Sequence, residues 1–115
     1  MITRIETGPR MSQAVLHGET VYIAGQVARD ASADVTGQTR QVLEAIDRLL
    51  LRAGTDKSRI LSATVYLADI ATFAEMNAVW EAWVAKGHAP ARATVEARLA
   101  LPAYQVEIVV IAALP

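Results

Sequence analysis

Two charged residues stand where burial is otherwise demanded. Arg92 follows Pro90 at the mouth of a β-prone stretch, and Glu107 interrupts the apolar run Val106-Glu107-Ile108-Val109-Val110-Ile111. A guanidinium is a permanently charged, planar fork of donors that matches a carboxylate, so Arg92 is a candidate anchor for a small organic acid. An ordinary ion pair on a strand edge is its competing explanation. Burying a lone carboxylate is costly, so Glu107 must be solvated, paired or kept for chemistry. His17 and His88, the only histidines, sit beside turn glycines or a proline and have no serine or aspartate at nucleophile–base spacing; both read as surface residues. The acids are scattered without metal-ligand spacing, and no glycine-rich phosphate loop is present. Glu96 and Arg98 read as the polar face of their strand, Trp80 and Trp83 as core or interface, and Asn77 as a structural hydrogen-bonding group.

Composition bounds the function classes. The 115 residues suit one domain spanning 1–115, and a hydrophobic content of 53% suits a packed core. A net charge of −1 offers no electrostatic footprint for nucleic acid or an anionic membrane, so neither partner is expected. The absence of cysteine removes disulfides, thiolate nucleophiles and cysteine-ligated metals, and suits a reducing compartment. With no signal-like start and no apolar run long enough for a bilayer, a cytoplasmic location is expected.

The elements that must position Arg92 and Glu107 follow from periodicity. Ile2–Glu6 reads as a short edge strand, and Ser12–Leu16 with Thr20–Gly25 as a hairpin about His17-Gly18-Glu19. Gly25 closes the second run, where a ligand or another backbone can approach closely. From Asp34 to Ala53 the residues Val35, Thr39, Val42, Ile46, Leu49, Leu50 and Ala53 form a helical stripe that Gly54 terminates. Ile60–Leu67 is a strand. Thr72-Phe73-Ala74-Glu75 resembles a capping box opening a second helix, with Phe73, Met76, Trp80, Trp83 and Val84 on its apolar face and Gly87 and Pro90 ending it. Strands at Ala91–Leu99 and Tyr104–Leu114, joined by a turn at Pro102, complete an α+β order β-β-β-α-β-α-β-β.

Alternation in the last strand sends Val106, Ile108 and Val110 to one face but Val109 and Ile111 to the other. Two helices cover one face of such a sheet, and an exposed second face forfeits about 25 cal/mol per Å² of apolar area. A homo-oligomer with sheet packed on sheet is the expectation.

The segments Val21-Tyr-Ile-Ala-Gly25-Gln26, Ile60–Asp69, Met76-Asn77-Ala-Val-Trp-Glu-Ala-Trp, Pro90-Ala-Arg92-Ala-Thr-Val-Glu and Val106-Glu107-Ile, in this order and spacing, resemble the YjgF/RidA family of enamine/imine deaminases. The tryptophan-rich helix and Gly-His-Ala-Pro look most similar to its YoaB-like branch. The resemblance implies a chorismate-mutase-like fold, a homotrimer with intersubunit clefts, and hydrolysis of reactive 2-imino acids to 2-oxo acids and ammonia without cofactor or metal. It gives Arg92 the substrate carboxylate, Glu107 the attacking water, and Gly25 and Thr94 a place lining the pocket through their backbones. One departure stands out. Where many deaminating members carry Gly-Pro-Tyr, this chain has Gly8-Pro9-Arg10-Met11-Ser12-Gln13, so the pocket loses an aromatic and can gain a cation from Arg10 or an adaptable apolar wall from Met11. A non-catalytic binding module for small carboxylates is the alternative. The ribonuclease or translation-inhibitor role attached to relatives lacks a basic patch or histidine pair here.

Overall fold

The structure is a computed structural model describing residues 1–115. Six strands form one sheet: β1 (Ile2–Thr7), β2 (Ser12–His17), β3 (Thr20–Gln26), β4 (Ile60–Leu67), β5 (Ala91–Glu96) and β6 (Val106–Ala113). Two helices, α1 (Val35–Ala53) and α2 (Phe73–Trp83), complete the expected element order. The molecule measures 41 × 38 × 20 Å. Its thin dimension equals one sheet layer plus one helix layer.

Across the sheet the strands run β1-β2-β3-β6-β4-β5, so the last strand inserts between β3 and β4 instead of pairing with β5. All neighbours are antiparallel except β4 and β5. The two final strands are therefore not a hairpin about Pro102: β5 lies on the sheet edge, and the chain crosses the end of β4 to reach the centre. These two strands are also shorter than periodicity suggests, whereas the first three each run one residue further. β5 stops at Glu96, whose carboxylate accepts the Ile70 N–H at 3.0 Å, and β6 starts at Val106 after a loop pinned by Gln38.

The α1 stripe is buried as its period requires, together with Leu43 and Gln38. Asp34 caps the helix by accepting the Gly37 N–H at 2.8 Å, and Gly54 ends it in the left-handed region at φ 90°. The start of α2 departs from the capping-box expectation. Thr72 makes no side-chain cap; its hydroxyl donates to the Asp69 carbonyl, and a 3₁₀ turn over Ile70–Thr72, capped by Asp69, leads into the helix. The helix ends at Trp83, short of Gly87, because Val84 turns to an extended conformation and packs against the core.

Alternation on β6 divides the layers as expected. Val106, Ile108, Val110 and Ala112 are buried beneath the helices with Ile23, Val65, Leu67, Ile46 and Leu49. Val109 and Ile111 face the other way and are half-buried; Tyr22, paired with Ile111, and Val95 remain 47% and 43% exposed. Nothing within the chain covers this second face.

Candidate functional site

Arg92 is placed by strand register. On β5 it lies beside Ala63 of β4, and Thr94 lies beside Val65. Since Ala63 and Val65 are buried in the core, Arg92 and Thr94 also face the helices. There the guanidinium meets rings instead of acids: its Cζ is 5.1 Å from the centre of the Trp80 ring and 5.7 Å from that of Phe73. The ion pairs of the chain belong to Arg48 and Arg52, and Arg92 has none. Its Nη1 and the Thr94 Oγ1 are buried polar atoms without a hydrogen-bond partner. Such a group carries a desolvation penalty of about 1–3 kcal/mol. Burial accordingly lowers the Arg92 pKa from its ordinary value, opposed by the field of Glu81. The guanidinium stays charged. Glu81 does not pair with it, and instead accepts a hydrogen bond from Asn77 at 3.1 Å.

Glu107 occupies the opposite face. It lies beside Tyr66, away from the helices, at the edge of a shallow hollow of about 290 Å³ that also touches Arg98, Leu99 and Val109. Opposite it, β3 carries a bulge: the three steps from Ile23 to Gln26 oppose two steps of β6, from Val110 to Ile108. The bulge is held by Gln26, whose Nε2 donates to the Gln13 Oε1 at 3.0 Å and to the Ala24 carbonyl at 2.9 Å. Gly25 follows from this geometry. A Cβ there would fall 2.0 Å from the Glu107 Oε2, so what approaches Gly25 is a carboxylate side chain, in place of the ligand or backbone expected from sequence.

The predicted residues thus form two groups within one chain. Arg92 and Thr94 share the helix face of the edge strand, while Glu107 and Gly25 meet on the open face. Counting the register, the Arg92 and Glu107 backbones stand two strands and three residues apart, about 14 Å, with side chains on opposite faces. Arg10 and Met11 are exposed in the β1–β2 connection, at the far edge of the sheet from β5. A hollow of about 770 Å³ along the Glu96–Tyr104 loop contains none of these residues. Both histidines are exposed, as expected.

Sequence reasoning assigned Phe73 and Trp80 to packing, and did not associate them with Arg92. It also passed over Gln38, which is fully buried; its Nε2 lies within 3.1 Å of the Ala31, Ala33 and Ala103 carbonyl oxygens, and its Oε1 accepts the Gln105 N–H. A polar residue in the midst of the α1 stripe was the available signal.

Comparison with known proteins agrees with the fold. The profile of the family described as Endoribonuclease L-PSP matches residues 1–114. A RutC family protein of Haemophilus ducreyi is 53% identical over 99% of this chain and 97% of its own length. The RutC family protein YoaB of Escherichia coli is 47% identical over 97% of both. A rat protein named 2-iminobutanoate/2-iminopropanoate deaminase is 33% identical over 88% of this chain and 77% of its own. The crystal structure of NMB1025 from Neisseria meningitidis, a member of the YjgF protein family, superposes with a TM-score of 0.97 at 44% identity, covering 100% of this chain and 96% of that one. With the match spanning residues 1–114, the chain belongs to the Endoribonuclease L-PSP family, also known as YjgF/RidA.

Proposed function

We propose that this protein hydrolyses reactive 2-imino and enamine acids to 2-oxo acids and ammonia, using Arg92 to hold the substrate carboxylate and Glu107 to assist the attacking water. The observation that carries the reading is the half-buried guanidinium with no anionic partner, its Nη1 buried without a hydrogen-bond partner. A fold that bears the desolvation cost of a charge without pairing it keeps that charge available to a guest. The rat relative named as a 2-iminobutanoate/2-iminopropanoate deaminase supports the reaction class.

The chemistry asks little of the protein. With the carboxylate docked in a bidentate fork, water adds across the C=N bond: its oxygen bonds to the imine carbon, and Glu107 takes its proton and relays it to nitrogen. The resulting carbinolamine expels ammonia, leaving the 2-oxo acid. Imines hydrolyse readily, so positioning supplies most of the acceleration. Thr94, whose hydroxyl lacks a partner, and Gly25 line the site; Arg10 and Met11 take the place of the aromatic found in many relatives.

A 2-imino acid cannot reach both Arg92 and Glu107 of one chain, since they point from opposite faces. The reading therefore requires a homo-oligomer, proposed as a trimer, in which a cleft between copies unites Arg92 of one with Glu107 of another. The uncovered apolar sheet face, with Tyr22, Val109 and Ile111, supports such packing. A cysteine-free chain suits the cytoplasm as its place of action. No helix is long and apolar enough to cross a membrane.

The test is ammonia release from 2-iminopropanoate generated in situ. Acceleration by the wild type that Arg92→Ala loses is the expected result, and no acceleration overturns the reading. A non-catalytic carboxylate-binding module is favoured by one observation, the replacement of Gly-Pro-Tyr by Gly8-Pro9-Arg10. It predicts pyruvate-dependent thermal stabilisation with no rate enhancement.

A further inference from the structure

A half-buried guanidinium can be fixed in two ways. An acid holds it by neutralising it and filling its donors. An aromatic face attracts the cation while leaving the in-plane N–H groups unfilled. Arg92 is held in the second way. Its Cζ lies within 6 Å of the centres of two rings, Trp80 and Phe73, and it makes no ion pair. The acid whose field reaches it, Glu81, is engaged by Asn77. The rings are themselves braced. Trp80 is tilted against Trp83 with centres 5.4 Å apart, the Trp83 Nε1–H donates to Asp47 of α1 at 2.9 Å, and the Lys57 ammonium lies 5.2 Å from the centre of the Trp83 ring. A continuous ladder, Lys57–Trp83–Trp80–Arg92–Phe73, thus runs from the 3₁₀ turn at Lys57–Arg59 along α2 to Arg92 on the edge strand.

We propose that Phe73 and Trp80 are positioning residues for anion binding: an aromatic clamp that substitutes for a counter-ion, orienting Arg92 while keeping its hydrogen-bonding edge free for a carboxylate. This rests on the reading of Arg92 as a carboxylate anchor and names what makes it one. The exposure of the two rings differs, which makes Phe73 the informative position. Trp80 is 5% exposed and belongs to the core, whereas Phe73 is 39% exposed, so its replacement is expected to disturb the fold less.

The experiment is a calorimetric titration of 2-oxobutanoate into wild type, Arg92→Ala, Phe73→Leu, Phe73→Tyr and Phe73→Glu, with Tm measured on each. Phe73→Leu is expected to weaken binding about 3- to 10-fold, and Phe73→Tyr to bind within about twofold of wild type, because only the aromatic face is needed. Phe73→Glu is expected to abolish binding while Tm stays level or rises, since Arg92 then gains an internal partner. A purely packing role for Phe73 predicts instead a lower Tm with unchanged affinity. Wild-type binding that Arg92→Ala abolishes but Phe73→Leu and Phe73→Glu leave intact overturns the clamp alone. Absence of wild-type binding, or full binding by Arg92→Ala, overturns the carboxylate reading and the clamp with it.

Discussion

Three arginines at opposite edges of one sheet are held in two different ways, two by a shared carboxylate and one by aromatic rings. At the β1 edge, Arg48 and Arg52 of α1 both donate to the Glu6 Oε2, at 2.6 and 2.8 Å. Glu6 adopts φ 53°, the only positive φ outside glycine, and from there it reaches the two arginines on α1. The Arg48 hydrogen bond comes first among the effects that hold its pKa below the usual carboxylate range, and Arg52 adds to it. At the β5 edge, Arg92 lies against two rings with no acid in contact. The first cluster is complete as it stands. The second holds its cation without an ion pair.

That contrast can be broken most directly at Arg92. Arg92→Ala should lower kcat/KM for 2-imino acids by roughly 30- to 1000-fold, the loss expected for a bidentate charge-assisted contact, with Tm unchanged or raised because an orphaned buried donor disappears. Arg92→Lys should recover only part of the activity, since an ammonium is a point charge without the fork. Steady-state rates on imines generated in situ, beside a thermal melt, check both. Glu107→Gln should lower kcat by about 10²-fold while leaving 2-oxobutanoate affinity near wild type, because a general base acts on water and not on the ligand carboxylate. Comparing kcat with the calorimetric Kd separates the two roles.

Gly25→Ala should lower kcat by displacing the Glu107 carboxylate, at a cost of under about 1 kcal/mol of stability, because what must yield is the end of a flexible side chain on the open face. Glu107→Ala in the same chain should remove most of the stability penalty; denaturant melts of the double-mutant cycle measure the coupling. The smallest effect is expected at the completed cluster. Glu6→Gln should reduce Tm slightly at pH 7 and leave kcat/KM unchanged. Because folding depresses the Glu6 pKa, its contribution is present above the unfolded value of about 4.3 and is lost as pH falls through the lower folded value. The difference in Tm between wild type and Glu6→Gln should therefore shrink at the acid end of that range.

Much of the fold was legible because its signals are local. The α1 stripe, its Gly54 stop and the strand Ile60–Leu67 follow from periods and caps within a single segment. The two-faced apolarity of β6 likewise announced an uncovered sheet face. What was not legible depends on distant parts of the chain. The insertion of β6 between β3 and β4 is a matter of register, and the early end of α2 is decided by Val84 packing on the core. At the site, residue types singled out Arg92 and Glu107, but not the faces from which they project. Nor did helical spacing reveal that Phe73 and Trp80 lie against Arg92, since an aromatic on an apolar stripe reads as core whichever neighbour it meets. Gly25 was recognised as a place of close approach, and the structure identified Glu107 as what approaches.

The most direct test of an unpaired cation awaiting a carboxylate is a titration of 2-oxobutanoate into wild-type protein and Arg92→Ala at low and high salt. The account predicts saturable binding by the wild type that weakens as salt rises and is absent from the variant. Equal affinity in the two proteins would contradict it.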